Sequence, residues 1–212
     1  MDYALHDFLM FTPEVYLRLF VRVNATLGPW LALVIAALAS MALLLSRNAL
    51  ALRRLAFMLM AAGWGLSAGV FMVRFYAPIN WPVGWLAWAF ALEALLLLMA
   101  AVCTRPEPVR VLSLPGSLVV VTTLSLATAW AAGSWRALSL PAVTPDMTAV
   151  TTMLMLVLLP RSWRWGVLIV PLLWCLFSLL IHWALGLWLP LGVSAAGLVI
   201  GLAAALWPHR PG

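Results

Sequence analysis

Long apolar runs alternate with short polar breaks along this chain, and the runs have the length of membrane spans. They cover residues 28–46, 54–76, 82–103, 114–132, 145–160, 165–185 and 189–207. Each comes near the roughly 20 residues needed to cross the hydrocarbon of a bilayer, and the fifth is the shortest. The pattern predicts an all-α polytopic transmembrane helix bundle of about seven spans. Proline marks the boundaries: Pro29, Pro82, Pro115, Pro145 and Pro190 fall in first turns, where a missing N–H removes no helical bond. Pro171 lies inside the sixth run and predicts a kink there.

The segment before the first span reads as an amphipathic helix. Thr12 can cap it and Pro13 can open it. Glu14, Arg18 and Arg22 then recur every four residues, leaving Val15, Leu19, Phe20 and Val23 on other faces. One narrow charged stripe on an apolar cylinder suits a helix lying in the interface plane, as a surface anchor or as a docking surface or lid. Residues 1–212 then form one integral membrane domain, with 1–27 interfacial, 28–207 holding the spans and 208–212 a short tail. Asp2 and Asp7 stand where a cleavable signal would carry basic residues, so the first span is expected to stay in place.

Composition sharpens this picture. Hydrophobic residues make up 66% of the chain and charged residues 8%, against about a quarter charged in soluble domains, which excludes a water-soluble fold. All 12 basic residues are arginine, and the formal charge is +6. On a soluble protein that surplus would suggest nucleic acid; at span ends it sets topology and meets lipid phosphate, so membrane lipids and no nucleic acid are expected as partners. If spans alternate, Arg47, Arg53, Arg54, Arg105, Arg110, Arg161, Arg164 and Arg210 share one face, and Arg18, Arg22, Arg74 and Arg136 the other. The richer face is expected in the cytoplasm of a bacterial inner membrane, with the N-terminus outside and the C-terminus inside.

Ionisable groups inside a membrane are costly and are functional suspects. Glu93, eleven residues into the third run, is the sharpest. It reads either as a proton or cation site, or as a carboxyl hydrogen-bonded to a Ser, Thr or Trp of a neighbouring span. A second set gathers near the outer ends: Arg74, Tyr76, Asn80, Asp146 and His182. Arg74 and Asp146 could pair to pin two spans, or line the mouth of a solute or quinone pocket with His182. No metal site is expected: His182 is the only histidine in a span, His6 and His209 lie near opposite termini, and no carboxylate sits beside His182 at ligand spacing. No phosphate loop, nucleophile elbow or H-E-x-x-H is present, so no catalytic residue is assigned. Cys103 and Cys175 read as small buried hydrophobes.

Thr122, Thr123, Ser125, Thr128, Thr148, Thr151 and Thr152 crowd the fourth and fifth runs, where hydroxyls can bond backbone carbonyls and hold helices together. Small residues recur at four-residue spacing as Ala32, Ala36 and Ser40, as Ala61, Gly65 and Gly69, and as Gly197 and Gly201. Such faces pack the bundle or dock it on a partner. Of 13 tryptophans, Trp30, Trp81, Trp85, Trp135, Trp183 and Trp188 form an outer belt. Trp64, Trp88 and Trp174 lie deeper, with flat surfaces suited to another subunit or a lipid-like cofactor.

Three stretches together carry a resemblance: Arg74-Phe-Tyr-Ala-Pro-Ile-Asn80, Val143-Thr-Pro-Asp-Met-Thr148 and Val170-Pro-Leu-Leu-Trp-Cys-Leu-Phe177. They resemble a bacterial family of small multi-span membrane proteins of undefined function, sometimes labelled permeases. The resemblance implies architecture; the family's Cys-Pro pair is replaced here by Asp146 and Met147, so no thiol chemistry follows. The second and third runs also echo the sixth and seventh through Trp64 with Pro82-Val-Gly and Trp174 with Pro190-Leu-Gly, an arrangement of parallel repeats about a linking fourth span. The expected function is a non-catalytic membrane subunit that packs against or stabilises a larger membrane complex. The alternative is a small-solute or ion permease using Glu93 and the outer polar set, and a third reading is a quinone- or redox-handling protein. No cofactor is predicted; lipids or quinone would fit the aromatic faces.

Overall fold

The computed structural model describes residues 9–47, 49–106 and 114–207, and among these the chain is helical, without strands. His6, His209, Asp2, Asp7, Arg110, Arg210 and the tail 208–212 lie outside the described residues. The helices are α1 (Pro13–Leu27), α2 (Trp30–Ser46), α3 (Leu50–Leu66), α4 (Val83–Cys103), α5 (Leu114–Ala131), α6 (Pro145–Met155), α7 (Arg161–Ala184) and α8 (Trp188–Leu206). α3 runs on without a break into ten π-helical residues, Ser67–Tyr76. Every apolar run of the sequence is thus a helix. Among the described residues four helices are long and apolar enough to cross a membrane: Leu50–Tyr76, Val83–Cys103, Arg161–Ala184 and Trp188–Leu206. The α1–α2 pair, bent by 95°, makes a fifth if it counts as one broken span, while α5 and α6 are apolar but shorter.

The short α6 is the hub. Every residue of it except Leu154 is buried, with α7 and α8 packed most closely and α3 and α5 beside them. Its shortness follows from the connection before it, which sinks into the bundle: Ser139, Leu140, Val143 and Thr144 are buried. Ala142, at φ 66°, presses on Gly63 near the end of α3, where an added Cβ would stand 2.7 Å from the Ala142 Cβ. Irregular backbone is tolerated at membrane depth only where protein satisfies its polar groups. Here the Ser139 N–H donates to the Ser125 carbonyl (3.2 Å), the Thr144 hydroxyl to the Leu140 carbonyl (3.0 Å), and Asn24 Nδ2 to the Arg136 and Leu138 carbonyls (2.9 Å each). Thr148 and Thr152 donate to carbonyls one turn back in α6.

α1 packs against the bundle along the side away from its charged stripe. Its stripe Glu14, Arg18 and Arg22 is exposed as expected; Leu19, Phe20 and Val23 are buried on the bundle together with Tyr16, while Val15 is exposed. Aromatic contacts and the Asn24 bonds fix it there as a cap; the Phe20 and Phe71 rings meet edge-on at 5.4 Å. Gly28 makes the corner into α2 at φ 46°, a conformation that side chains with a Cβ resist.

At the end opposite α1, two arginines are engaged within the protein, while Arg47, Arg105 and Arg161 are exposed. Arg54 donates to the Val102 and Thr104 carbonyls (3.2 Å each). Arg164, fully buried, donates to Leu159 (2.8 Å), Val157 (3.0 Å) and Trp207 (2.8 Å). These guanidiniums satisfy the carbonyls that helix ends leave open. The contacts gather Arg54 and Arg164 at one end, while at the other the Arg22 and Arg74 guanidiniums each lie against the Phe75 ring, 5.8 Å and 5.6 Å from its centroid. The small residues divide similarly. Gly197 and Gly201 are packed within the bundle, 2.7 Å and 2.9 Å being left for a Cβ before Cys175 Sγ and Met153 Sδ. Gly65 and Gly69 face open space, and Ala32, Ala36 and Ser40 are exposed on the peripheral α2. Cys175 is buried, whereas Cys103 is exposed.

Candidate functional site

Beneath α1 five elements converge on one buried polar cluster. Asp146 is the second residue of α6, where the helix N-terminus favours a carboxylate. Its Oδ1 accepts from Trp174 Nε1 at 2.8 Å, and its Oδ2 lies 3.9 Å from His182 Nε2. The same nitrogen is 3.1 Å from the Tyr16 hydroxyl. On the other side of the ring, His182 Nδ1 meets the Ser194 hydroxyl at 3.2 Å and the Ser178 hydroxyl at 3.5 Å. His182 is therefore engaged at both nitrogens, with partners that can donate or accept whichever nitrogen carries the proton. Tyr76 packs edge-on against Tyr16 (5.8 Å between centroids), and Phe11 covers both rings.

This cluster unites Tyr76, Asp146 and His182 from the set expected in the sequence. It corrects the expected ion pair. Among the described residues Arg74 forms no salt bridge with Asp146; it is exposed, with its guanidinium 5.6 Å from the Phe75 centroid. The physical reason is the sunken end of the connection, residues 137–144, which starts α6 inside the bundle and turns Asp146 toward Trp174 and His182. Asn80 lies in the turn before α4, half-buried. Sequence reasoning missed Tyr16, Ser178 and Ser194. Tyr16 shares the apolar face of α1 with Phe20 at helical spacing, and Ser178 stands one turn before His182, so both signals were present.

Glu93 stands apart. It is fully buried in α4, and neither carboxylate oxygen has a hydrogen-bond partner. The expected bond from a Ser, Thr or Trp does not form, because the groups that could supply it are used elsewhere or not aimed at it. Trp64 Nε1 donates to Thr152 Oγ1 at 2.8 Å. The Ser67 and Thr151 hydroxyls are buried and unpartnered as well. One turn from Glu93, Phe90 lies between Trp64 (4.6 Å) and Trp174 (5.2 Å), both edge-on. The deep tryptophans Trp64 and Trp174 are therefore interior groups, each donating to a side chain of α6, while Trp88 is exposed to the surroundings. The belt tryptophans Trp30, Trp81, Trp85, Trp135, Trp183 and Trp188 are all exposed.

No group of three or more metal-ligating side chains occurs among the described residues. Two open, apolar grooves flank Phe11 on the α1 face, one against Ile79 and Trp81 and the other against Ala184 and Leu185; no ionisable residue lines either. Comparison with family profiles, with curated proteins and with solved structures finds no match to the chain.

Proposed function

We propose that the protein is a small-ion permease of a bacterial cytoplasmic membrane, with the proton as the ion and Glu93 as the group that exchanges it. One observation carries this reading: a carboxyl completely enclosed in a span-length helix with both oxygens unpartnered. Such a group costs free energy and its oxygens gain no hydrogen bond in return, which is the mark of an intramembrane residue kept for ion handling. The Asp146–His182–Tyr16 chain supports a second exchange station nearer the α1 face, since an imidazole bonded on both sides can take a proton at one nitrogen and release one from the other. Pro171 removes the helical donor to the Val167 carbonyl inside α7, a ready point of bending.

The reading takes α2 to α8 as seven passes, with the short α6 completed by the buried connection before it. It puts the α1 face outside and the arginine-rich face in the cytoplasm, following the eight-to-four arginine split of the sequence. The purified protein in liposomes should pass protons when a potassium diffusion potential is imposed and lumenal pH is followed with a trapped dye. Flux no greater than in protein-free liposomes sinks the permease reading.

A second reading, the non-catalytic subunit, draws on a different observation. Gly65 and Gly69 open onto nothing within 4 Å, and Ala32, Ala36 and Ser40 of α2 are exposed as well. In lipid, such faces let another helix approach closely. Under this reading the protein purifies from mild detergent with a membrane partner; purification at its own mass alone counts against it. Trp64 and Trp174, engaged inside the bundle, no longer support a partner surface.

A further inference from the structure

The two ionisable stations of the interior are joined by rings rather than by polar groups. The Asp146–His182–Tyr16 chain lies beneath α1. Glu93 lies deeper, on the face of α4 that also buries Phe90. Phe90 is one turn nearer the α1 end, because the far end of α4 is the one that Arg54 holds through Val102 and Thr104. Trp174 connects the two levels. Its Nε1 donates to Asp146 Oδ1 at 2.8 Å, and its ring meets Phe90 edge-on at 5.2 Å between centroids. Trp64 of α3 meets Phe90 as well, at 4.6 Å. All three rings are buried.

Nothing in this aromatic cluster can hand a proton across. Both indole N–H groups are engaged on α6, with Thr152 and Asp146, and an indole N–H is a donor only. A proton therefore needs water to pass Phe90, and apolar constrictions exclude water. α7 supplies a means of opening. Pro171 stands three residues before Trp174 and removes a helical bond, so bending there shifts Trp174 relative to Phe90 on α4, while Trp64 stays tied to α6 through Thr152.

We infer that Phe90, clasped by Trp64 and Trp174, is the gate between Glu93 and the Asp146–His182 station, and that protons pass it only when Trp174 moves away. The inference rests on the permease reading and adds to it the residue that limits flux. A ring cluster that only fills the core would change stability when cut and leave flux alone.

The test uses the full-length protein in liposomes under a potassium diffusion potential, with lumenal pH followed by a trapped dye and the unfolding midpoint recorded for each variant. Phe90→Ala removes both edge-on pairs and should raise proton flux about tenfold, which corresponds to about 1.4 kcal/mol. Phe90→Leu, which keeps an apolar side chain of similar reach, should raise it about threefold and carries the test if Phe90→Ala does not fold. The rise should disappear when Glu93→Gln is added, because the protons admitted past Phe90 still need the carboxyl. Wild-type flux in both Phe90 variants overturns the inference and leaves the permease reading standing. A rise that survives Glu93→Gln overturns it too, since that leak bypasses Glu93. Flux at the protein-free level in wild type and every variant sinks the permease reading and the gate with it.

Discussion

Adding one methyl group at Gly63 tests the least expected element of the fold, the buried connection that carries Asp146 to the cluster. A Cβ at Gly63 would lie 2.7 Å from the Ala142 Cβ and 3.0 Å from the Ala142 Cα. Carbon atoms pack at about 3.5–4.0 Å, so the chain must separate locally by about 1 Å. Neither opposing atom can rotate away, because one is backbone and the other is fixed to it. Overpacking of this kind costs about 1–3 kcal/mol. Gly63→Ala belongs in the upper part of that range, because Ala142 already holds a φ of 66°. Gly65→Ala and Gly69→Ala meet nothing within 4 Å and should leave the monomer's stability unchanged or slightly raised. Gly197→Ala should fall between, because the obstructing atom is the Cys175 Sγ at the end of a short side chain. Unfolding midpoints in one detergent, measured for the four variants, give the order. Ala142→Gly should recover part of the Gly63→Ala loss by removing the closest atom. A Gly63→Ala protein as stable as wild type, or no recovery in the pair, would show that residues 139–144 do not lie against α3.

Other outcomes follow from the same geometry. Tyr16→Phe removes the hydroxyl that meets His182 and should lower stability by about 0.6 kcal/mol, at most near 1.7, while protease cleavage within α1 becomes faster; unchanged cleavage would mean that α1 is not held by this bond. Trp135→Cys, at a site exposed on the α1 face, should react with an impermeant thiol reagent from outside intact cells, while Ser139→Cys should stay unlabelled because that position is buried. Labelling of Trp135→Cys only after the cells are opened reverses the orientation.

Helix positions were legible because lipid imposes a simple rule, that long apolar runs must satisfy their own backbone. The seven runs and the opening prolines therefore landed where the helices are. The packing of α1 was less legible, since a stripe such as Glu14, Arg18 and Arg22 marks the wet side of a helix without saying whether protein or lipid covers the rest. The connection before α6 was illegible for a related reason. Residues 132–144 look like an ordinary polar break, and the burial of 137–144 depends on Gly63 and Asn24, far away in sequence. That burial decided the fate of Asp146, so the partner chosen from sequence depth, Arg74, was wrong even though the depth of His182 and Tyr76 served well. Glu93 was found at once as an intramembrane carboxyl, but its lack of partners could be seen only when Trp64 was found bonded to Thr152.

The central claim rests on Glu93, and the most direct measurement is proton flux into liposomes carrying Glu93→Gln beside wild type, with the unfolding midpoint of each recorded. The amide keeps shape and polarity but cannot exchange a proton. The account predicts flux reduced to that of protein-free liposomes at a midpoint close to wild type, since the carboxyl makes no hydrogen bond for the substitution to break. Wild-type flux through Glu93→Gln would contradict it.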